Sequence, residues 1–258
     1  MRFFLGLFAA LLALAGASSA GAAPDRLVRF DNAAGEPIQG AVVKPEGAGP
    51  FPAVVLLHSC LGLPSNRRAI QSALAAAGFA TMFVDEFGPR GLEETCSVDF
   101  PQLAPDAFGA LARLAREPGV DARRIAVVGF SQGADGALMA AASPAGAAQG
   151  PPGRLAFRAA AAFYPPCANQ QGRTLAIPTL IVVGSADAVT PAADCRRLAE
   201  SQTGDVRLSV LPGAGHCFDD PAFAGGKEVL GMTLRYDSGA ARRGMAELIA
   251  FLHGTLQR

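Results

Sequence analysis

The sequence predicts an α/β protein whose mostly parallel central sheet carries helices on both faces. Short, continuous apolar runs recur along the chain, as expected of strands that are buried on both sides. Helical patterns lie between these runs, and strands alternating with helices give βαβ units, which build such a sheet. The 258 residues are 50% hydrophobic with zero formal net charge. This composition excludes intrinsic disorder and argues against a nucleic-acid partner, which requires a clustered basic surface.

The elements follow one another in a regular order. Two apolar stretches between residues 27 and 43 flank a turn-rich insert at 32–37, which predicts an N-terminal hairpin. Buried strands are predicted at 53–57, 80–84, 125–130, 159–163, 179–183 and 206–210. Helices are predicted at about 65–77 (closed by Gly78), 104–116, 132–142, 192–201 and 240–252. Long loops are predicted at 145–153 and 213–231, and we expect residues 24–258 to form one domain.

The first 23 residues predict a secretory signal peptide. Met1 and Arg2 give a basic start, an apolar run covers residues 3–15, and the small residues that follow offer cleavage points near Ala22 or Ala23. The apolar run is shorter than the ~20 residues that span a bilayer, so a retained membrane anchor is the alternative rather than the prediction. We therefore expect a soluble mature protein, free of the membrane after cleavage, in the periplasm or outside the cell.

Export changes the interpretation of the five cysteines, which are Cys60, Cys96, Cys167, Cys195 and Cys217. The absence of a C-x-x-C pair argues against zinc-ribbon and thioredoxin sites. An oxidising compartment favours two disulfides and one leftover thiol. Spacing does not fix the connectivity, but the order of the elements favours Cys60 with Cys96 and Cys167 with Cys195. Free, buried thiols are the alternative.

A candidate nucleophile stands at a strand-to-helix turn. The segment Gly129-Phe130-Ser131-Gln132-Gly133 directly follows a predicted strand and opens a predicted helix, which is the context that a nucleophile elbow requires. The turn is so tight that a side chain at either glycine would clash. We therefore predict Ser131 as the nucleophile, with a helix-capping serine in a Gly-rich turn as the alternative.

A serine hydroxyl needs a base to take its proton. Of the three histidines, His216 lies in a Gly-rich loop after the strand at 206–210, from which it can reach Ser131. His58 ends a strand and His253 lies among apolar residues of the last helix, so ordinary packing or surface roles are expected for both. We predict His216 as the base.

The base in turn needs an orienting acid. Asp187 follows the strand at 179–183 and precedes His216, which gives the order Ser, Asp, His of α/β-hydrolases. The competing carboxylates lie in or near a helix or too soon after His216, namely Asp194, Asp205, Asp219 and Asp220. We predict Asp187 as the acid, with a helix-capping role as the alternative.

An oxyanion hole needs two backbone N–H donors that point to where negative charge develops. The residue after the nucleophile, Gln132, is one natural donor. The loop after the strand at 53–57 should supply the other, and Cys60 is the predicted residue. A shift of this loop by one residue would change that assignment.

These motifs together resemble the dienelactone hydrolase family of α/β-hydrolases. The resemblance rests on the elbow and on the segments 58–62, 184–187 and 215–218, and it extends over about residues 27–252. It implies an α/β-hydrolase fold and a serine or cysteine triad that acts on lactones and small esters without metal or organic cofactor. The best-known members carry a cysteine nucleophile and a glutamate in the oxyanion loop, where this chain has Ser131 and Ser59. We therefore expect Ser-His-Asp activation instead of the glutamate–cysteine scheme.

The resemblance also implies a role for Arg90. It matches a family arginine that grips the substrate carboxylate, and the guanidinium fork suits that group. The family's second arginine is replaced by Asp219 and Asp220, which would repel a carboxylate. A loop-bracing arginine is therefore the alternative. The exported relatives that resemble this chain join a cysteine of the oxyanion loop to one after the Pro-Arg-Gly segment, which supports the Cys60–Cys96 pair.

The sequence thus predicts a serine hydrolase that cleaves small carboxylic esters or lactones through an acyl-enzyme. A serine peptidase or an acyltransferase on the same fold is one alternative, because fold and triad are shared across chemistries. An exported binding protein with an inactive site is the other. We expect a small-molecule substrate and no cofactor. We also expect no metal site, since the spacing of His58, Cys60, His216 and Cys217 fits no common ligand set.

Overall fold

The computed structural model describes residues 25–143 and 155–257. The predicted signal peptide at 1–23 and the predicted loop at 145–153 lie outside these ranges. Within them, no helix has the length and apolar character needed to cross a bilayer.

An eight-stranded sheet forms the centre of the fold. Its strands, in chain order, are β1 (Arg26–Asp31), β2 (Pro37–Val43), β3 (Phe51–Leu57), β4 (Ala80–Asp85), β5 (Val120–Phe130), β6 (Ala159–Phe163), β7 (Thr179–Gly184) and β8 (Val206–Leu211). Their spatial order is β1-β2-β4-β3-β5-β6-β7-β8. The predicted hairpin is β1 and β2, which pair antiparallel from Arg26 opposite Val42 to Asp31 opposite Pro37. β2 is also antiparallel to β4, and all the other pairs are parallel.

Within the described residues, five α-helices connect the strands and cover the sheet. They are α1 (Arg67–Ala76), α2 (Leu103–Leu114), α3 (Gln132–Ala142), α4 (Ala192–Glu200) and α5 (Ser238–Leu256). Single 3₁₀ turns lie at Gly88–Arg90, Cys167–Gln170 and Pro221–Phe223. The sequence predicts all five α-helices to within a few residues at each end, except that α5 runs four residues further.

The strands are apolar on both faces because each face packs against helices. In β3 and β5, Val55 and Val127 belong to a core that includes residues of α2, α3 and α4. Their neighbours Val54 and Val128 belong to a second core, which includes residues of α1 and α5. Alternate residues of one strand therefore enter different cores. The predicted mostly parallel sheet with helices on both faces is confirmed.

The prediction of a long loop at 213–231 was wrong in part. Two short strands, β9 (Lys227–Val229) and β10 (Met232–Leu234), form an antiparallel hairpin around Leu230 and Gly231, which both have positive φ. A strand of three residues is too short to show an alternating pattern. Tertiary contacts hold the hairpin, since Leu234 bridges to His216 and the Arg235 amide donates to the His216 carbonyl at 3.1 Å.

Candidate active site

Ser131 stands alone at the sharp turn between β5 and α3. Its φ of 53° is positive, which a residue with a side chain rarely adopts. A Cβ atom on Gly129 would overlap the carbonyl group of Gly133, and one on Gly133 would overlap the carbonyl groups of Leu57 and His58. Glycine is therefore required at both positions. The side chain of Ser131 makes no capping hydrogen bond with α3, so the helix-cap alternative does not describe it.

A continuous hydrogen-bonded chain joins the three predicted triad residues. Ser131 Oγ lies 2.9 Å from His216 Nε2, and His216 Nδ1 lies 2.8 Å from Asp187 Oδ2. All three residues are buried. A carboxylate can only accept, so Nδ1 carries the proton and the lone pair of Nε2 faces the serine hydroxyl. This is the tautomer that a general base needs.

Asp187 is fixed by its own turn. Its Oδ1 accepts hydrogen bonds from the amides of Val189 (2.9 Å) and Thr190 (2.8 Å), and its Oδ2 accepts one from Thr190 Oγ1 at 2.9 Å. Thr190 is a supporting residue that the sequence analysis missed. An aspartate followed three residues later by a threonine is a local turn signal that could have found it. The competitors Asp194 and Asp205 instead form ion pairs with arginines of their own segments.

The loop that carries His216 is held against the Asp187 turn. The Ser185 amide donates to the Leu211 carbonyl at 2.9 Å, and the Ala186 amide donates to the Ala214 carbonyl at 3.0 Å. A Cβ on Gly184 would overlap the Ala214 carbonyl, so the two loops meet too closely for any side chain there. The imidazole also packs edge-on against the ring of Tyr164, with centroids 4.8 Å apart.

The two predicted oxyanion donors are tied together through Thr95. The Thr95 amide donates to the Cys60 carbonyl at 2.9 Å, and Thr95 Oγ1 donates to Gln132 Oε1 at 2.7 Å. The Cys60–Cys96 disulfide also joins the loop of Cys60 to the segment that carries Thr95. Neither the Cys60 amide nor the Gln132 amide donates a hydrogen bond within the described part of the chain. Both N–H groups therefore have a free donor to offer a developing oxyanion.

The structure places Arg90 in a different setting from that of a free substrate clamp. Its guanidinium donates two hydrogen bonds to Asp106 (2.7 and 2.8 Å), two to Glu36 (2.8 and 3.2 Å), and one to the Glu86 carbonyl at 2.7 Å. Its side chain is 14% exposed. These are the contacts of the alternative interpretation, an arginine that braces its loop. The substrate-binding role of Arg90 stays a prediction, and the ion pairs weigh against it.

Residues 38–256 match the profile of the Dienelactone hydrolase family, most of the chain. The chain belongs to the dienelactone hydrolase family. Among solved structures of similar fold, a dienelactone hydrolase-like promiscuous phosphotriesterase from metagenomic libraries superimposes with a TM-score of 0.72 at 21% identity. The match covers 90% of this chain and 98% of that one. At this identity the likeness shows the fold alone.

Two curated proteins are similar to this chain in sequence. A Mycobacterium tuberculosis H37Rv protein that bears a phosphoribosyl transferase name is 32% identical over 193 residues, which are 72% of this chain. The match spans only 40% of that protein's length. A Bradyrhizobium protein that bears the name 2-oxo-3-(5-oxofuran-2-ylidene)propanoate lactonase is 26% identical over 203 residues, or 72% of this chain and 81% of that protein.

His58 is buried at the start of the oxyanion loop. It takes no part in the hydrogen bonds that join Ser131, His216 and Asp187. Its Nδ1 donates to the Ser59 carbonyl at 2.7 Å, and its Nε2 accepts from the Glu86 amide at 3.3 Å. Burial lowers the pKa of His58 to about 4, so the ring is neutral at pH 7. His253 packs against Phe79 at a centroid distance of 5.0 Å.

The cysteines pair as the order of the elements favoured. Cys60 is joined to Cys96, and Cys167 is joined to Cys195, which ties the 3₁₀ turn after β6 to α4. Cys217 is the free, buried cysteine. Burial raises its pKa, so it stays a thiol instead of a thiolate nucleophile. Within the described ranges, no group of three or more histidine, cysteine or acidic side chains is placed to hold a metal ion.

Proposed function

We propose that this hydrolase cleaves small carboxylic esters or lactones through an acyl-enzyme on Ser131. The observation that carries the proposal is the hydrogen-bonded chain from Ser131 through His216 to Asp187, with distances of 2.9 and 2.8 Å. Hydrogen-bonded contact between nucleophile, base and orienting acid is the geometry that activates a serine. Membership of the dienelactone hydrolase family supports the same chemistry.

In the first half of the reaction, Ser131 Oγ attacks the substrate carbonyl carbon while His216 Nε2 takes the hydroxyl proton. The imidazolium that forms is stabilised by Asp187, which keeps both oxygens occupied by hydrogen bonds. The amides of Cys60 and Gln132 receive the negative charge on the carbonyl oxygen. His216 then protonates the leaving alkoxide, and the acyl group remains on Ser131.

In the second half, water takes the place of the serine hydroxyl. His216 removes a proton from the water as it attacks the acyl-enzyme, the same amides bind the oxyanion, and His216 returns the proton to Ser131. A lactone follows the same course, except that the leaving hydroxyl stays attached to the acyl group.

Hydrolysis of p-nitrophenyl acetate tests the proposal when it is combined with active-site labelling. We expect the purified protein to hydrolyse the ester and to gain one adduct from a fluorophosphonate probe by intact mass. Ser131→Ala should lose both. Cys217→Ala is the matched control, because this thiol adjoins His216 but is not the proposed nucleophile, and it should keep the label. Equal rates and no label in the native protein and in Ser131→Ala would leave the inactive binding protein as the explanation.

The same protein distinguishes the enzyme alternatives. A peptidase would cleave p-nitroanilides of short acyl groups at rates comparable to the matching p-nitrophenyl esters, and an acyltransferase would pass the acyl group to an added alcohol faster than to water. We expect ester hydrolysis to dominate both comparisons, in keeping with membership of the dienelactone hydrolase family.

We also propose that the protein is exported, with residues 1–23 removed. The two disulfides, Cys60–Cys96 and Cys167–Cys195, support an oxidising compartment. N-terminal sequencing of the protein recovered from the periplasm or medium of an expressing bacterium should begin near residue 24. Recovery of the full-length chain only in the membrane fraction would favour the retained anchor.

A further inference from the structure

A cavity lies near the predicted triad, next to the oxyanion loop. Its volume is about 270 Å³, near the lower end of the ~300–1,000 Å³ of ligand pockets. Phe130 and Cys217 line it and are the chain neighbours of Ser131 and His216, and Ser59 lines it next to Cys60. Tyr164 also lines it and packs against the His216 ring, so the cavity is a candidate space for a short group attached to Ser131.

The lining of the cavity mixes apolar residues with polar ones such as Ser59, Ser65 and Tyr164. Leu61, Phe130 and Phe223 supply apolar surface, whereas the only charged residue in the lining is Asp220. Asp220 accepts hydrogen bonds from the amides of Ser65 (3.1 Å) and Ala222 (2.9 Å) and from the Ser65 hydroxyl. These are neutral donors, so they do not cancel its charge.

A second carboxylate stands directly behind the lining. Asp219 Oδ1 accepts a hydrogen bond of 2.6 Å from the hydroxyl of Tyr164, whose ring forms part of the wall. Neither Asp219 nor Asp220 takes part in an ion pair within the described residues. Arg90 is already bound to two carboxylates. This part of the cavity therefore carries two carboxyl groups that have no ion-pair partner among the described residues.

From this we infer that the cavity is the acyl subsite of the proposed esterase and that it selects uncharged short acyl chains against chains that end in a carboxylate. The inference rests on the proposed function. Like charges in a partly desolvated site repel strongly, because the effective dielectric constant is far below that of water. The selection acts on kcat/KM, since both the bound ester and its transition state place the acyl chain in the cavity.

Two esters of equal length test this selection. They are p-nitrophenyl valerate and mono-p-nitrophenyl glutarate, whose acyl chains differ only in a terminal methyl or carboxylate group. The assay is run at pH 8, above the pKa of Asp219, which burial raises to about 6. We expect kcat/KM for the valerate to exceed that for the glutarate about 100-fold or more. A ratio of this size corresponds to repulsion of the glutarate carboxylate by both Asp219 and Asp220.

Removing the two charges should reduce that ratio. In Asp219→Asn with Asp220→Asn, we expect the valerate-to-glutarate ratio to fall to about 10 or less, and each single variant should give an intermediate value. Asp205→Asn is the matched control, because Asp205 is an exposed acid before β8, paired with Arg207, and it should keep the native ratio. Thermal melting identifies any variant that fails to fold, and the native protein in 0.5 M NaCl gives a second measurement, in which the ratio should fall.

The outcomes distinguish a failure of the proposed function from a failure of the charge selection. If neither ester is hydrolysed, or Ser131→Ala is as active as the native protein, the proposed function fails. If the valerate is hydrolysed through Ser131 but the glutarate is hydrolysed equally well, the charge selection is wrong while the esterase stands. A ratio that is large but unchanged in the Asp219 and Asp220 variants and in high salt would also overturn the charge selection, since shape would then be its cause.

Discussion

Two buried histidines of this molecule differ in the groups that their ring nitrogens contact. His216 and His58 both follow strands at the carboxyl edge of the sheet, and both have an acidic side chain near the ring, at 2.8 Å for Asp187 and 3.6 Å for Glu86. In His216, Nδ1 donates to the carboxylate and Nε2 faces a hydroxyl group. In His58, both ring nitrogens are used by the backbone, at the Ser59 carbonyl and the Glu86 amide.

Burial beside an acid therefore does not by itself make a histidine a base. A base needs an unprotonated nitrogen that points at a removable proton, and an amide N–H does not give up its proton under ordinary conditions. Through these two hydrogen bonds, His58 instead connects the oxyanion loop to the segment that follows β4. Six variants, studied in four experiments, test this difference between the two histidines.

Exchanging each histidine for glutamine should give the largest contrast. His216→Gln should lower kcat/KM by at least about 10⁴-fold, because no group is left to take the Ser131 proton. His58→Gln should stay within about 10-fold, since a glutamine can still meet two backbone groups. Steady-state kinetics on a p-nitrophenyl ester measures both. A His58→Gln loss as large as that of His216→Gln would mean that His58 takes part in the reaction.

Exchanging the two carboxyl groups for amides should give the next largest contrast. Asp187→Asn should lower kcat by about 10³-fold, because an amide N–H at that position favours the wrong imidazole tautomer. Glu86→Gln should stay near the native rate. Burial and the nearby Asp106 raise the pKa of Glu86, which favours the neutral carboxyl form that glutamine resembles. Comparable losses in both variants would contradict the separation of the two histidines.

The stability of the protein should depend on pH through His58. Its pKa is about 4 in the folded protein and 6.5 when it is unfolded, so between these values the unfolded chain binds the extra proton. Stability from this residue is therefore full above pH 6.5 and is lost as the pH falls, by up to about 3 kcal/mol at pH 4. Urea unfolding at several pH values should show that the free energy of unfolding depends less steeply on pH in His58→Gln than in the native protein. Parallel curves for the two proteins would refute this assignment.

The smallest effect is expected at Thr95. Thr95→Val keeps the shape of the side chain but removes the hydroxyl that fixes Gln132, so we expect kcat to fall about 10-fold with little change in KM. Thr95→Ser should restore most of the rate, which a purely structural role of the methyl group would not do. Equal kcat values for Thr95→Val and the native protein would remove Thr95 from the oxyanion machinery.

Sequence reasoning works well for the parts of this site that are local. The elbow around Ser131 is one contiguous strand, turn and helix, and Asp187 and His216 stand directly after buried strands. Thr95 left no such signal, because it lies in an irregular segment and contacts Gln132 from 37 residues away. The β9–β10 hairpin was not predicted for a similar reason. Its strands are too short to show an alternating pattern, and contacts to His216 hold them. The first half of β5 was missed because its Asp-Ala-Arg-Arg segment is polar and partly exposed.

The spacing of the triad along the chain has a consequence for folding. Ser131 is 85 residues from His216, and His216 is 29 residues from Asp187. The three follow different strands, so they meet only once β5, β7 and β8 have joined one sheet. No short fragment of the chain can carry the triad, and contacts so distant in sequence form late. Recovery of esterase activity during refolding would therefore measure the completion of the sheet, a step that helical signals alone would not report.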